Sequence, residues 1–316
     1  LNSLNKKYFK DEKLIQLFNR YATYNGSNPF LTSGIMSIIQ HLEHDLGVFM
    51  PKKGLSDISN SLYELASDLG VKFHFNSEID HILIKDKCAV GVKINDIEYK
   101  ADVVISNMDI NLTYERLLKG YNKPFFIKNY QPSSSAVVFY WNMNISFSKL
   151  NVHNIIFTKD QKKEFEYIFN KQLIYNDPTV YICSTSKIVK EDAPINCENW
   201  FILINSPHDN GQDWEKIKKD LRSNIIRKIN STLKLDVENY IVKEKILTPV
   251  DIEIKTLSKF GSLYGSSSNS LKSAFIRHPN FSKTINNLYF CGGSVHPGGG
   301  IPLCLNSAKI VSDLIN

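Results

Sequence analysis

Residues 288–312 constrain the fold more than any other segment, because two glycine clusters stand there between an apolar run and a segment of helical periodicity. The apolar run ends at Gly292, a second cluster occupies 298–300, and apolar residues then recur at helical spacing from Ile301. A strand, a glycine turn and a helix let backbone amides approach a flat or phosphorylated cofactor without interference from Cβ atoms. The pattern predicts a cofactor-binding loop, with a glycine-rich surface loop as the alternative.

Composition and charge exclude several function classes. The five cysteines include no CxxC pair, which is typical of reduced thiols in a cytosolic compartment and argues against a zinc site. The net charge of +6 is spread along the chain, so we expect no nucleic-acid partner and only weak attraction to an anionic membrane face. No apolar run reaches the roughly 18 residues of a transmembrane helix, and the N-terminal residues are too polar for a signal peptide.

Hydrophobic periodicity predicts helices near the N-terminus and a strand-rich remainder. Apolar residues recur at helical spacing over 1–50 and over 56–69, where Gly70 ends the second helical segment. A capped, charged segment at 213–233 predicts a surface helix. Strands are predicted at 71–76, 78–84, 88–94, 98–106, 135–141, 181–186 and 200–206. Because few helices separate the later strands, we expect a largely antiparallel sheet there.

The C-terminal glycine segment also resembles a known signature. NLYFCGGSVHPGGGIPLCLNSAK, at 287–309, is similar to the C-terminal flavin-binding segment of FAD-dependent carotenoid desaturases of the phytoene-desaturase type. Further matching strings follow in the order of that family: RYATYNGSNPF at 20–30, VKFHFNSEIDHI at 71–82, ADVVISNMD at 101–109, GSLYGSSSNS at 261–270 and AFIRHPNF at 274–281. The likeness covers nearly the whole chain and is nearest to the bacterial hydroxycarotenoid 3,4-desaturase branch.

The resemblance implies an α/β fold, that of a partial two-domain FAD flavoprotein. Its FAD domain would be of the glutathione-reductase-like or amine-oxidase-like type, with an inserted mixed sheet-and-helix substrate domain. We expect a helical cap at 1–50, FAD-domain segments at 51–115 and 250–316, and a substrate-binding domain at 116–249. The strand–GxGxxG–helix unit that holds the pyrophosphate in such folds is not present, and the chain does not begin with Met. We therefore expect an upstream segment.

By the same resemblance, three parts of the chain contact FAD. The backbone of Ile79 would meet the adenine, 292–294 would run beside the ribityl chain and pyrophosphate, and 299–302 would close under the isoalloxazine. The implied cofactor-binding residues are Ile79, Gly292, Gly293, Ser294, Gly299, Gly300, Ile301 and Pro302. Ile79 could equally be a core residue and Pro302 a helix initiator. Lys53 departs from the family, which has glycine there.

Desaturation needs an elongated apolar slot and, at most, one proton acceptor, because the flavin takes the hydride. We expect the slot to be lined by Phe139, Tyr140, Trp141, Phe157, Tyr264, Phe275 and Ile276. His296, between the two glycine clusters, is the candidate catalytic base, and bracing of the loop is its alternative role. His278 and Glu43 are weaker candidates. The HLEH string at 41–44 resembles a metal motif, but the family resemblance implies no metal.

The resemblance implies an oxidoreductase that introduces C=C bonds into an acyclic carotenoid, phytoene-like or 1-hydroxylated. The partners implied are a hydrophobic carotenoid, a membrane contacted peripherally from the cytoplasm, and quinone or oxygen as electron acceptor. Two alternatives stay open. One is a carotenoid isomerase or oxygenase on the same scaffold, and the other is an inactive flavoprotein-like fragment that serves as a binding partner.

Overall fold

The N-terminal part of the chain is helical, as the sequence predicts. A computed structural model describes residues 1–128, 130–270 and 276–315. In the first part, α1 (Asn2–Tyr8) and α2 (Glu12–Asn19) lead into a 3₁₀ helix at Arg20–Asn25, then a short 3₁₀ turn at Gly34–Met36, α3 (Ser37–His41) and a π-helical turn at Leu42–Leu46. α2 begins where the Asp11 carboxylate accepts a hydrogen bond from the Lys13 amide (2.7 Å), a favourable N-cap. The next helix, α4 (Ser56–Asp68), matches the helix predicted at 56–69.

A small antiparallel sheet and a parallel strand pair follow. β1 (His81–Lys85), β2 (Cys88–Ile94) and β3 (Ile97–Lys100) form a three-stranded antiparallel sheet in sequence order. β4 (Val104–Ser106) instead pairs in parallel with a strand from the far end of the chain, β10 (Leu288–Phe290). After β4, the chain forms α5 (Ile110–Leu112), a π-helical turn (Thr113–Leu117) and α6 (Phe125–Lys128). The core around β4 and β10 thus draws on residues from 82–127 and from 285–295, which are far apart in the sequence.

The middle of the chain builds a five-stranded antiparallel sheet with strand order β6-β7-β8-β5-β9. Its strands are β5 (Ser135–Met143), β6 (His153–Ile156), β7 (Val180–Cys183), β8 (Glu198–Ser206) and β9 (Ile241–Leu247). The helical elements inserted between them are α7 (Gln161–Glu166), a π-helical turn (Tyr167–Lys171), 3₁₀ turns at Thr185–Lys187, Lys190–Asp192 and Val237–Tyr240, and α8 (Trp214–Leu233). This arrangement confirms the predicted antiparallel sheet.

α8 covers one face of that sheet. Its Leu221, Ile225 and Ile229 recur every fourth residue and are buried against the strands. The Asp213 carboxylate caps the first turn by accepting from the Lys216 amide (3.0 Å). The surface helix predicted at 213–233 is therefore confirmed. It packs against one face of the sheet and does not cover the opposite face.

The chain returns to the strand pair through α9 (Pro249–Thr256), a 3₁₀ turn (Lys259–Gly261) and β10, and it ends in α10 (Ile301–Ile315). α9 starts at a reciprocal capping box in which the Thr248 hydroxyl and the Asp251 carboxylate each bond the other's amide. The strand, glycine turn and helix predicted for the C-terminal segment are thus present in that order. Within the described residues, no helix combines the length and apolar character needed to cross a bilayer.

The strand predicted at 71–76 is wrong. These residues alternate in polarity, but no described strand pairs with them, and Val71, Phe73 and Phe75 are largely exposed. The two phenylalanine rings stack with centroids 5.9 Å apart, and Phe73 lies 4.7 Å from the ring of Tyr63 on α4. The alternating aromatic residues of this segment therefore stack on one another and on α4 and do not form a strand.

Candidate functional site

Two parallel strands end side by side at the candidate cofactor site. β4 and β10 run in register, with Phe290 opposite Ser106. Beyond the strands, the Cys291 amide donates to the Ser106 carbonyl (3.1 Å), and the side-chain amide of Asn107 donates to the Cys291 carbonyl (3.1 Å). Ligands of open parallel sheets bind outside the carboxyl ends of the strands. The glycine turn begins at this edge.

A buried polar pair, Asn280 and Ser307, holds the glycine turn in place. The Asn280 side-chain amide lies within hydrogen-bond distance of the carbonyls of Phe290 (3.1 Å) and His296 (2.9 Å) and of the Ser307 hydroxyl (2.9 Å). The amide of Gly292 donates to the same hydroxyl (3.1 Å). These bonds join the end of β10, the loop and α10. Sequence reasoning missed both residues, although they lie in the segments that carry the family resemblance.

The second glycine cluster presents an open backbone surface. A Cβ on Gly299 would lie 2.8 Å from Cδ1 of Tyr264, so only glycine lets the loop lie this close to that ring. Gly300 differs, because it has φ +110° and no protein atom within 4 Å of the position of a Cβ. Its side-chain position therefore faces empty space, directly before the first turn of α10. This surface fits a flat cofactor that a side chain would displace.

A crevice continues from the strand ends toward the three-stranded sheet. It encloses about 570 Å³ and is lined by Ile79, Ser106, Asn107 and Met108 among others. Asn107 lines this crevice together with Ile79 and also contacts Cys291 and Gly292, so the crevice adjoins the start of the glycine turn. Ser294 has a structural partner as well, because its hydroxyl accepts a hydrogen bond from the Ile110 amide (3.0 Å). The FAD contacts implied for these residues stay predictions.

A second cavity of about 330 Å³ lies between the N-terminal helices and the free face of the five-stranded sheet. Its walls come from the N-terminal helices (Leu17, Arg20, Tyr21, Thr23, Tyr24), from the sheet (Ile155, Tyr181, Leu203, Asn205) and from the segment 263–264. Tyr264 contacts Gly299 at the same time. One aromatic ring therefore separates this cavity, called the sheet cavity below, from the glycine loop.

Strand alternation decides where three predicted slot residues lie. Phe139 and Trp141 are fully buried in the core beneath α8. Tyr140, between them, points to the opposite face of β5, where its ring packs edge-on against Phe201 at 5.4 Å. Side chains of a strand alternate between faces, so these three residues cannot share one cavity. Of the three, only Tyr140 lies on the face that carries the sheet cavity.

The other predicted slot residues are dispersed. Tyr264 lines the sheet cavity, whereas Ile276 lines a separate cavity of about 510 Å³ together with Arg277 and His278. Phe157 follows β6 and is half-buried. Phe275 lies outside the described residues. The structure thus brings Tyr264, but not Ile276, next to the sheet face, and the substrate roles of all of them stay predictions.

The two histidine candidates have different environments. His296 has an exposed side chain, and its backbone anchors the loop: its amide donates to the His278 carbonyl (2.9 Å) and its carbonyl accepts from Asn280. His278 is buried, with Nδ1 2.7 Å from the Pro279 carbonyl oxygen and Nε2 3.2 Å from the Tyr114 hydroxyl. Burial lowers the pKa of His278 to about 4, so its imidazole is neutral near pH 7.

The sheet cavity is lined mainly by apolar and aromatic side chains, with a polar corner at Arg20 and further polar groups on Thr23 and Asn205. The Tyr21 hydroxyl donates to the Glu43 carboxylate (2.7 Å), and burial together with Glu43 raises the pKa of Tyr24 to about 12. Burial lowers the pKa of the Arg20 guanidinium, an effect that Glu164 opposes. The corner therefore holds a cation and neutral phenols. Within the described part of the chain, no group of three or more His, Cys, Asp or Glu residues is placed to hold a metal ion.

A family model matches almost the whole chain. The model described as flavin containing amine oxidoreductase matches residues 2–316. The chain belongs to this family. Membership confirms the predicted flavin cofactor and agrees with the open glycine surface at Gly300.

Comparison with known proteins also confirms the predicted resemblance and fold. The 1-hydroxycarotenoid 3,4-desaturase of Flavobacterium sp. is 51% identical over 315 residues, which cover 100% of this chain and 64% of the relative. The 4,4'-diaponeurosporene oxygenase of Staphylococcus aureus is 31% identical over 317 residues, covering 98% and 63%. The chain thus spans less than two thirds of the length of these relatives. An oxidoreductase from Methanosarcina mazei shares the fold, with a TM-score of 0.66 at 17% identity over 99% of this chain and 67% of that one.

Replacement of Gly300 by valine should abolish flavin retention in the holoenzyme. A β-branched side chain resists φ +110° and would fill the open face before α10. The measurement is the flavin-to-protein ratio of the purified variant, read from its absorption spectrum.

Gly211→Val is the matched control, because Gly211 has φ +80° and equally open surroundings but lies in the turn before α8. It should lose stability and keep its flavin. Full flavin occupancy in a folded Gly300→Val protein would place the cofactor elsewhere.

Proposed function

We propose that this chain carries the substrate-binding part and the C-terminal cofactor loop of an FAD-dependent desaturase of acyclic carotenoids. The observation that carries the proposal is the position of Tyr264, which lines an apolar cavity on one side and packs on the open glycine loop on the other. The 51% identity to a 1-hydroxycarotenoid 3,4-desaturase supports the same substrate class. A phytoene-like or 1-hydroxylated polyene is therefore the substrate we favour.

The proposed division of labour assigns the chemistry to the cofactor and the positioning to the protein. When bound, the flavin accepts a hydride from the substrate, and the adjacent carbon loses a proton. Gly300 leaves open space that would accommodate the flat ring, and Gly299 lets the loop lie against Tyr264. The first turn of α10 would supply partial positive charge that favours an electron-rich ring. Apolar side chains of the sheet cavity would exclude water and align the polyene.

The sequence ranges that contribute to each hydrophobic cluster support the proposed domain organisation. One buried cluster lies wholly between residues 137 and 237, inside the segment 116–249 assigned to the substrate domain. A second cluster joins residues from 82–127 to residues from 285–295, and of its buried members Leu118 and Ile127 lie beyond the proposed boundary at 115. An FAD domain assembled mainly from 51–115 and 250–316 would have such a composite core. Residues 1–50 would form the cap, since five of them line the sheet cavity.

An oxygenase or isomerase on the same scaffold is the second candidate. It is favoured by the 31% identity to 4,4'-diaponeurosporene oxygenase. These activities differ in their products and not in the glycine loop, so product analysis separates them. An inactive binding partner would yield no product at all.

The holoenzyme should convert a 1-hydroxylated acyclic carotenoid to a product with one more C=C bond, two hydrogen masses lighter. Chromatography with mass detection identifies the product, and anaerobic mixing should bleach the flavin. Return of flavin absorbance on adding oxygen or a quinone then identifies the electron acceptor. A product that gains oxygen, or an isomer of unchanged mass, would instead establish the second candidate.

His296→Ala should slow flavin reduction by bound carotenoid less than tenfold, well short of the roughly 10²–10⁴-fold loss expected for a positioned base. The reason is that the His296 side chain is exposed, whereas its backbone makes the contacts that hold the loop. Stopped-flow reduction, normalised to bound flavin, measures the rate. A large loss of rate at full flavin occupancy would make His296 the catalytic base.

We also propose that the cap contacts the membrane from the cytoplasmic side and receives the carotenoid there. Leu46, Val48 and Phe49 are 67%, 73% and 86% exposed, and Lys52 and Lys53 follow them in sequence. Exposed apolar side chains beside basic residues favour insertion at an anionic interface. Because other cap residues line the sheet cavity, a polyene could pass from bilayer to cavity without crossing water.

The double substitution Leu46→Glu and Phe49→Glu should reduce binding of the holoenzyme to vesicles of anionic phospholipid by roughly tenfold or more, because it buries two charges at the interface. Co-sedimentation measures the bound fraction. Ile195→Glu is the control, since Ile195 is 91% exposed on the sheet-bearing part of the chain. Equal binding by both variants would exclude the cap as the membrane contact.

A further inference from the structure

Arg20 places a cation in the polar corner of the sheet cavity. It begins the 3₁₀ helix of the cap and lies between Asn19 and Tyr21, both held by side-chain hydrogen bonds. The Arg20 guanidinium carbon lies 6.0 Å from the centre of the Tyr181 ring. Within residues 1–128, 130–270 and 276–315, its side chain makes no hydrogen bond and no ion pair. A guanidinium carries five donors, so this one has donors available to a ligand in the cavity.

Asn205 faces the same cavity from the sheet. It lies on β8, two residues after Leu203, which also lines the cavity, while Ile202 and Ile204 point into the opposite core. Asn205 is 6% exposed, and its side chain makes no hydrogen bond to the described residues, yet its polar atoms are not sealed from the cavity that it lines. The amide therefore has two donors and an acceptor available to a polar group in the cavity.

The charged groups near Arg20 indicate which kind of polar ligand group the sheet cavity would bind. Glu164 is buried and acts electrostatically on Arg20, and Glu43 lies against Tyr21 and Tyr24 at the same corner. The Glu43 carboxylate at this corner would repel a carboxylate ligand. A neutral hydroxyl would meet no such repulsion, and it could accept from Arg20 and exchange a hydrogen bond with Asn205.

We propose that Arg20 and Asn205 form a subsite for the terminal hydroxyl group of an otherwise hydrocarbon polyene. The inference rests on the proposed function and deepens it, because it names the residues that select an oxygenated end. The remaining lining, which includes Leu17, Ile155 and Leu203, would hold the adjoining hydrocarbon chain. Arg20 and Asn205 act as specificity residues and take no part in hydrogen removal.

The test compares two substrates in one enzyme: an acyclic carotenoid with a tertiary hydroxyl at one end, and the same polyene without it. The ratio of their kcat/KM values measures the preference and cancels any partial loss of folded enzyme. Arg20→Met should lower this ratio roughly 10- to 100-fold, the range for losing a charge-assisted hydrogen bond. Asn205→Leu should lower it by roughly tenfold.

Two further variants make the result specific to hydrogen bonding. Arg20→Lys should recover part of the preference, since one donor cation is kept. Arg227→Met is the matched control, because Arg227 is exposed on α8 and, within the described residues, its side chain donates a hydrogen bond to Asn224 alone (3.4 Å). An unchanged ratio in both Arg20→Met and Asn205→Leu, or a wild-type enzyme without preference, would overturn the subsite.

Binding of the same pair separates this inference from the proposed function. Quenching of protein fluorescence gives the dissociation constant of each polyene without turnover. If neither polyene is desaturated, the proposed function fails, and tighter binding of the hydroxylated polyene that is lost in Arg20→Met would still support the subsite. Equal binding of the two polyenes by the wild-type holoenzyme would overturn it.

Discussion

The ring of Tyr264 is the contact on which the arrangement of the site depends. It is packed between two glycines: a Cβ on Gly26 would lie 2.9 Å from Cδ2, and a Cβ on Gly299 would lie 2.8 Å from Cδ1. Because both neighbours lack side chains, the cap and the glycine loop can approach the ring from opposite sides. The Ser133 hydroxyl fixes the backbone by accepting from the Tyr264 amide (3.0 Å). Cap, sheet and loop therefore meet at one side chain.

Side chains of β5 and β8 alternate between the two faces of the five-stranded sheet, and the two faces have different surroundings. On β5 and β8, alternate residues such as Phe139 and Ile202 form a closed core with α8. The residues between them face the cap and are apolar, aromatic or amide-bearing, as in Leu203 and Asn205. Substitutions of the cavity residues would therefore change side chains that lie outside this core cluster. A sheet of this kind allows specificity to change without loss of the fold.

Local sequence patterns were sufficient for the elements and insufficient for the contacts between them. The strand at 88–94, the helix at 213–233 and the C-terminal glycine turn each have a periodicity or cap that needs no distant partner. The pattern at 71–76 failed because alternation predicts a strand only where a second strand is available. Arg20 and Asn205 were missed for a related reason: they are 185 positions apart, and only the folded chain makes them line one cavity. Phe139 and Trp141 are aromatic like Tyr140, but only the face of β5 on which each lies separates them from it, and they are buried in the core beneath α8.

In the proposed function, the cap would meet two demands that a hydrophobic substrate makes on a protein. A polyene must leave a bilayer without exposure to water, and its one polar end must be desolvated only where hydrogen bonds replace those of water. The cap presents exposed apolar residues at 46–49 and, within the same helical region, the guanidinium of Arg20 inside the sheet cavity. A hydrocarbon end gains nothing from that guanidinium, whereas a hydroxylated end recovers the hydrogen bonds it lost on leaving water. Desolvation at Arg20 would therefore discriminate between substrates whose reacting bonds are chemically alike.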